Sequence, residues 1–175
     1  MELWAEDEAR LGLIPVVRRV WAPRGVRPRA LGQRRYQWLY LYGFVRPVGG
    51  QVEWLILPEV DTDCFALALK HFAEAVGAGR KKRIAVVLDG AGWHTAKSLV
   101  IPEGIHLVFL PPYSPELQPA EHLWPLVHEA MANRRIETLD DLEDLLVRRC
   151  RNLTAHADQI RSQTFFSWWP LDYAA

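Results

Sequence analysis

The stretch "RIAVVLD" (83–89) constrains this chain more than any other. Five consecutive apolar residues, three of them β-branched and none alternating with a polar neighbour, read as a strand buried on both faces. Such a strand needs a layer of structure above and below its sheet. The run stops at Asp89, and "GAG" turns the chain directly afterwards. A carboxylate at that position is costly unless a partner or a cation compensates its charge.

The segments around it supply the layers. "LWAEDEA" (3–9) reads as a short strand ending in acids, and residues 10–35 as an arginine-rich loop. "YQWLYLYGFV" (36–45) and "QVEWLIL" (51–57) form a hairpin around "RPVGG". Asp61 or Thr62 caps a helix running to about Val76, because Phe65, Leu69 and Phe72 recur at helical spacing. A short helix near 94–100, a strand "IHLVFL" (105–110) and helices at about 119–133 and 138–152 follow, the last with Thr138 as cap and Asp140 and Asp141 in its first turn. This order predicts an α/β chain, a mixed central sheet flanked by helices. With 175 residues it predicts one domain over 1–155, with the aromatic tail 156–175 packing on it or extending it.

Charge is balanced, 21 Lys and Arg against 21 Asp and Glu, so no global basic field points to nucleic acid. Local clusters remain: Arg18, Arg19, Arg24, Arg27, Arg29, Arg34 and Arg35 in one span, "GRKKR" (79–83) in another. The first can track phosphates or be solvated; the second reads first as a solubilising loop, though it too could touch DNA. Two cysteines, Cys64 and Cys150, are too few for a disulfide framework or a zinc site, which predicts a reducing, cytoplasmic setting. No signal peptide opens the chain, and no run of about 18 apolar residues could span a membrane.

Ligands of mixed and parallel sheets gather outside the carboxyl ends of strands. Two acids stand there, Asp7 and Asp89, and a third, Glu121, opens a helix after "LPPYSPELQP". If the first and fourth strands are neighbours and that helix packs across them, the three carboxylates converge. Mg²⁺ prefers such oxygen ligands, and a pair of ions suits phosphodiester chemistry. Taken singly, Asp89 could cap its turn and Glu121 could be a first-turn acid. Pro111, Pro112, Pro115 and Pro119 restrict the approach to Glu121, as a ligand that must be aimed requires. Glu8, and with it Glu6, alternates away from Asp7 and is expected in solvent or beside an arginine. Trp93 and Trp124 read as core, and His94 as either a phosphate contact or a local hydrogen-bonding group. The hydroxyls of Tyr113 and Ser114 can meet a nucleic-acid backbone or serve their own turn.

Four segments carry a family resemblance: "EDEARLGL…RRVWAPRGVRP", "VVLDGAGWHTA", "LPPYSPELQPAEHLW" and "IETLDDLEDLL". Together they resemble the catalytic domain of DDE transposases, the mariner-like superfamily and its bacterial insertion-sequence relatives, over residues 4–147. The resemblance implies a ribonuclease H-like fold and Mg²⁺-dependent cleavage and rejoining of DNA, two ions being held by Asp7, Asp89 and Glu121 with Mn²⁺ as a substitute. It implies DNA contacts from Arg24, Arg27, Arg29, His94, Tyr113, Ser114 and His128, and action as a homodimer. Recognition of element ends would come from a helix-turn-helix module on another polypeptide, on a frameshift-fused product or on a part of the protein outside this chain. Departures from the family pattern are Gly90 in place of Asn, Gln118-Pro119 in place of Asn-Pro, Pro125 inside the helix and His128 in place of Lys. None removes a metal ligand. The competing expectations are another ribonuclease H-like nuclease, cutting hybrids or junctions, and an inactive remnant serving as a DNA-binding or assembly module.

Overall fold

The computed structural model describes residues 1–29 and 35–171; Arg34 and the last four residues of the aromatic tail lie outside that range. Five strands, β1 (Glu2–Gly12), β2 (Trp38–Arg46), β3 (Gln51–Leu57), β4 (Ile84–Leu88) and β5 (Ile105–Phe109), form one sheet in the order β3-β2-β1-β4-β5. β1, β2 and β3 are antiparallel neighbours, while β4 runs parallel to both β1 and β5. The sheet is therefore mixed; β1 does not end at its acids as expected but runs on past the end of β4 to pair with β2, so Asp7 lies midway along it, level with the residues that follow β4.

Strand alternation divides the interior into two cores. On one face α1 (Thr62–Val76) lays Phe65, Leu69 and Phe72 against Trp4, Tyr42, Phe44, Val86 and Leu88. On the other, α2 (Leu123–His128), α3 (Leu139–Thr154) and α4 (Ala157–Thr164) cover Ala5, Ala9, Leu11, Leu41, Val45 and Val87. β4 is buried along its whole length, as its composition requires. The caps are also as expected. Asp61 Oδ1 accepts from the Cys64 amide at 2.7 Å, and Thr138 forms a reciprocal capping box with Asp141.

Three elements differ from expectation. Residues 94–100 form turns, not a helix: Asp89 Oδ1 caps the Ala91 amide at 3.0 Å, and His94 is drawn down beneath the turn. The helix expected at 119–133 begins as a 3-10 turn (Pro119–His122), continues as α2 and stops at His128. Pro125 lies in the first turn of α2, where its missing amide hydrogen has no helical acceptor to lose. Beyond α2, Asn133 takes a left-handed conformation (φ 55°) and ties the arginine-rich segment to the body. Its amide donates to Val16 O at 2.9 Å, and its side-chain oxygen accepts from the Arg18 amide at 3.0 Å. Finally, α4 adds a helix in the C-terminal region, with Ile160 and Trp169 in the same core as α3. Among the described residues no helix is long and apolar enough to cross a membrane.

Candidate active site at the strand ends

Asp7, Asp89 and Glu121 line one open cavity of about 450 Å³, together with Gly90, Leu110 to Pro115 and Gln118. Each arrives by a different route. Asp7 projects from β1 toward the α2 side of the sheet, Asp89 follows the last residue of β4, and Glu121 sits in the 3-10 turn that crosses toward β1. The parallel pairing of β1 with β4 (Trp4 opposite Val86, Ala5 opposite Val87) places the first two acids at one edge.

Each of the three has a support. Trp124 Nε1–H donates to Asp7 Oδ2 at 2.6 Å. That indole crosses β2 over Gly43, the residue paired with Asp7; a Cβ on Gly43 would lie 3.1 Å from both Trp124 and Leu123. Asp89 Oδ1 accepts from the Ala91 amide and from His94 Nδ1, at 3.0 and 2.8 Å. Glu121 is aimed by the proline segment, which Gln118 fastens to β1. The buried Gln118 amide donates to Glu6 O at 2.8 Å, next to Asp7, and its carbonyl accepts from the Ala120 amide.

The cavity concentrates negative charge. Burial pushes the Asp7 carboxyl up to about 7, against the Trp124 N–H that holds it down, with Glu8 and Glu121 adding repulsion. Glu121 is raised by partial burial and by Asp89, His122 opposing. A divalent cation is the group that would relieve both. The three carboxylates nevertheless stand further apart than the tightest acidic cluster among the described residues, which is Glu6, Glu8 and His94.

That second cluster overturns the expectation for Glu6 and Glu8. Neither faces solvent or an arginine. Both project to the α1 side of β1, where Glu8 Oε1 accepts from Trp93 Nε1–H and pairs with His94 Nε2, each at 3.0 Å. Glu6 is 0% exposed and Glu6 Oε2 lies 3.7 Å from the same nitrogen. With a carboxylate at each ring nitrogen and Phe65 against its face at 4.3 Å, His94 is 2% exposed. It cannot present itself to a phosphate without releasing Glu8 or Asp89; burial lowers its pKa, but Glu8 and Asp89 outweigh that and raise it overall.

The other expected DNA contacts divide. Tyr113, fully exposed with φ 58°, and Ser114 line the acidic cavity. Arg24, Arg27 and Arg29 are exposed on the segment between β1 and β2. His128 lines a different cavity, with Arg10, Val16, Trp38 and Met131, and does not meet the acids. "GRKKR" precedes β4 and so lies at the opposite end of that strand from Asp89. Sequence reading missed Trp124, Trp93 and Gln118. Their signal was available in part: Trp124 follows Glu121 by three residues, and a buried indole N–H needs an acceptor.

A mixed sheet in this strand order, with one acid midway along its central strand and another just after the parallel neighbour, is the ribonuclease H-like arrangement. Solved structures share it. The Mos1 mariner paired-end complex with Mn superposes with a TM-score of 0.63 at 15% identity, over 95% of this chain and 57% of that one. The Mos1 strand transfer complex gives 0.59 at 16% identity, over 95% and 56%. The simian T-cell lymphotropic virus intasome in complex with a PP2A regulatory subunit gives 0.53 at 12% identity, over 99% and 58%. The chain thus spans little more than half of these proteins. The sequence pattern of the DDE superfamily endonucleases matches residues 2–143, and the chain belongs to that family. A curated relative, the uncharacterized protein y4pE/y4sA of Sinorhizobium fredii, is 34% identical over 122 residues, 70% of this chain and 87% of that protein.

Proposed function

We propose that this chain is the catalytic domain of an insertion-sequence transposase, cutting and rejoining DNA strands with Asp7, Asp89 and Glu121 as its catalytic acids. The observation that carries the proposal is their meeting at one open cavity from three separate elements. The donor set fits a divalent metal: oxygen-only, partly solvated, and with two of its members raised in pKa in part by neighbouring acids.

Two Mg²⁺ ions, or Mn²⁺, held by Asp7, Asp89 and Glu121 would make water or a 3′-hydroxyl nucleophilic and neutralise charge on the phosphodiester. The protein's share is placement. Trp124 fixes one oxygen of Asp7, and His94 with the Ala91 amide fixes one of Asp89. Both Asp89 bonds fall on Oδ1, which leaves Oδ2 for a ligand. Tyr113 and Ser114 at the rim, and Arg24, Arg27 and Arg29 on the exposed segment, hold the DNA backbone. His94, buried behind the turn, acts through Asp89, while His128 borders a neighbouring cavity with Arg10 and Trp38 where DNA leaving the acids could be met. Sequence-specific binding of element ends is supplied by a helix-turn-helix module on another polypeptide, on a frameshift-fused product or on a part of the protein outside this chain. The active form is a homodimer in a bacterial cytoplasm.

The test combines Mn²⁺-induced thermal shift with nicking of supercoiled plasmid, duplex, hybrid and junction DNA. Wild type should gain stability with Mn²⁺ and nick duplex DNA. Asp89→Asn and Glu121→Gln should lose the gain and at least ~10³-fold of the nicking rate. Equal metal stabilisation of wild type and Asp89→Asn would sink the site; preference for hybrid or junction would reassign it to another nuclease class.

A further inference from the structure

The Glu6–Glu8–His94 cluster lies behind the cavity, on the α1 face of β1, and the proposed chemistry makes no direct use of Glu6. Burying an ionised carboxylate away from water is among the least favourable arrangements in a protein, and each buried oxygen needs a partner. Glu6 is 0% exposed and neither of its carboxylate oxygens has a hydrogen-bond partner. His94 Nε2 stands 3.7 Å from Glu6 Oε2, too distant for a hydrogen bond, and the Glu8 carboxylate beside it can only repel an ionised Glu6.

We propose that Glu6, Glu8 and His94 bind a single structural divalent transition-metal ion of the zinc class, distinct from the ions of the open cavity. One atom from each of the three lies within 4.8 Å of the others. The separations from Nε2, 3.0 Å to Glu8 Oε1 and 3.7 Å to Glu6 Oε2, bracket the ~3.0–3.6 Å expected between ligands bonded at about 2.0–2.2 Å to one ion. Both Glu6 oxygens are free to bind, which completes the coordination without water. The surrounding contacts match a metal-bound histidine. Its other nitrogen, Nδ1–H, donates to Asp89 Oδ1 at 2.8 Å, fixing the tautomer that leaves Nε2 for the ion. The Trp93 indole N–H is shared at 3.0 Å between Glu8 Oε1 and His94 Nε2, and ion binding at Nε2 would leave it to Glu8 alone. Two carboxylates and a neutral imidazole balance a dication, so the set becomes neutral in a dry site. Imidazole and dryness favour Zn²⁺ over Mg²⁺, which keeps its waters, and over Mn²⁺, which suits carboxylate and water ligands. The ion would pin the turn after β4 to β1 and, through His94, hold Asp89 in line.

The test is zinc retention by the whole chain. The protein is stripped with chelator, loaded with Zn²⁺, gel-filtered and assayed by elemental analysis, with affinity measured against a competing chromophoric chelator. One zinc per chain should remain in wild type, in Asp7→Asn and in Glu121→Gln. Glu6→Gln, an isostere, should weaken affinity by about 100-fold or more. X-ray absorption of the zinc-loaded wild type should show one imidazole and oxygen neighbours, a result that needs no variant to fold. No retained zinc, retention unchanged in Glu6→Gln, or an oxygen-only shell would each overturn the proposal. Retention lost in Asp7→Asn but kept in Glu6→Gln would also overturn it, by placing the ion in the open cavity. None of these outcomes touches the Mn²⁺ dependence of Asp7, Asp89 and Glu121, which is read separately.

Discussion

The two sides of β1 carry acids one residue apart and treat them in opposite ways. Asp7 opens on the α2 side into a cavity, with one oxygen held by an indole. Glu6 and Glu8 point the other way, into a packed layer against His94 and Phe65. The difference teaches what a carboxylate is for in each place. The open one can exchange ligands with solvent and substrate; the closed pair can only brace. Asp89 joins the two, because it faces the cavity while bonding His94 from the far side.

That contrast can be broken most severely at His94. Replacing it by Ala leaves Glu8 and Glu6 buried with no cationic partner, and removing one member of a buried pair costs about 3–5 kcal/mol. Chemical denaturation of His94→Ala should show that loss, whereas Asp7→Asn, on the open side, should be as stable as wild type or more so without metal. A smaller effect is the pH dependence of the metal-free protein. Above its ordinary value of 3.8 and up to about 7, Asp7 keeps its proton in the folded chain and loses it in the unfolded one. Rising pH through that window therefore favours unfolding. Glu6, raised far by burial and by its acidic neighbours, and His94, raised by Glu8 and Asp89 despite burial, act in the same sense. The thermal midpoint without metal should fall between pH 5 and 8 by several degrees, on the order of 2 kcal/mol. Mg²⁺ or Mn²⁺ should restore it, and Asp7→Asn should flatten the slope.

Trp124→Phe sharpens the comparison from the open side. It removes the N–H held by Asp7 Oδ2, about 1.5 kcal/mol for a hydrogen bond to a charged group. It should also move the acid limb of the pH–nicking profile upward, since that N–H is what holds Asp7 down. Smallest are single Ala substitutions at Arg24, Arg27 and Arg29. Each should lower the slope of log affinity for DNA against log salt by about 1, with no change in stability.

Much of this was legible in the chain. The uninterrupted apolar run of β4 could only be a strand covered on both faces. Asp61 and Thr138 announced their helices through side-chain capping, which is local. Strand periodicity placed Glu8 opposite Asp7 correctly. What that periodicity could not show was which side would be covered, because α1 is some 60 residues away in sequence and brings Phe65 to the spot. The turn at 94–100 was misread as a helix for the same reason. Locally the stretch can be helical, but His94 is also held by Glu8 on β1, 86 residues earlier. The shortened α2 yields to Asn133, whose partners Val16 and Arg18 are as remote.

The sequence by itself determined the layers, the acids and the stiff approach to Glu121, since propensity, capping and proline geometry act within a few residues. Only the tertiary structure decided that Asp7, Asp89 and Glu121 share a cavity while Glu6, Glu8 and His94 share a closed pocket. Those groupings depend on which elements lie side by side, and the chemistry of a carboxylate follows from the neighbours that fix its field and its access to water.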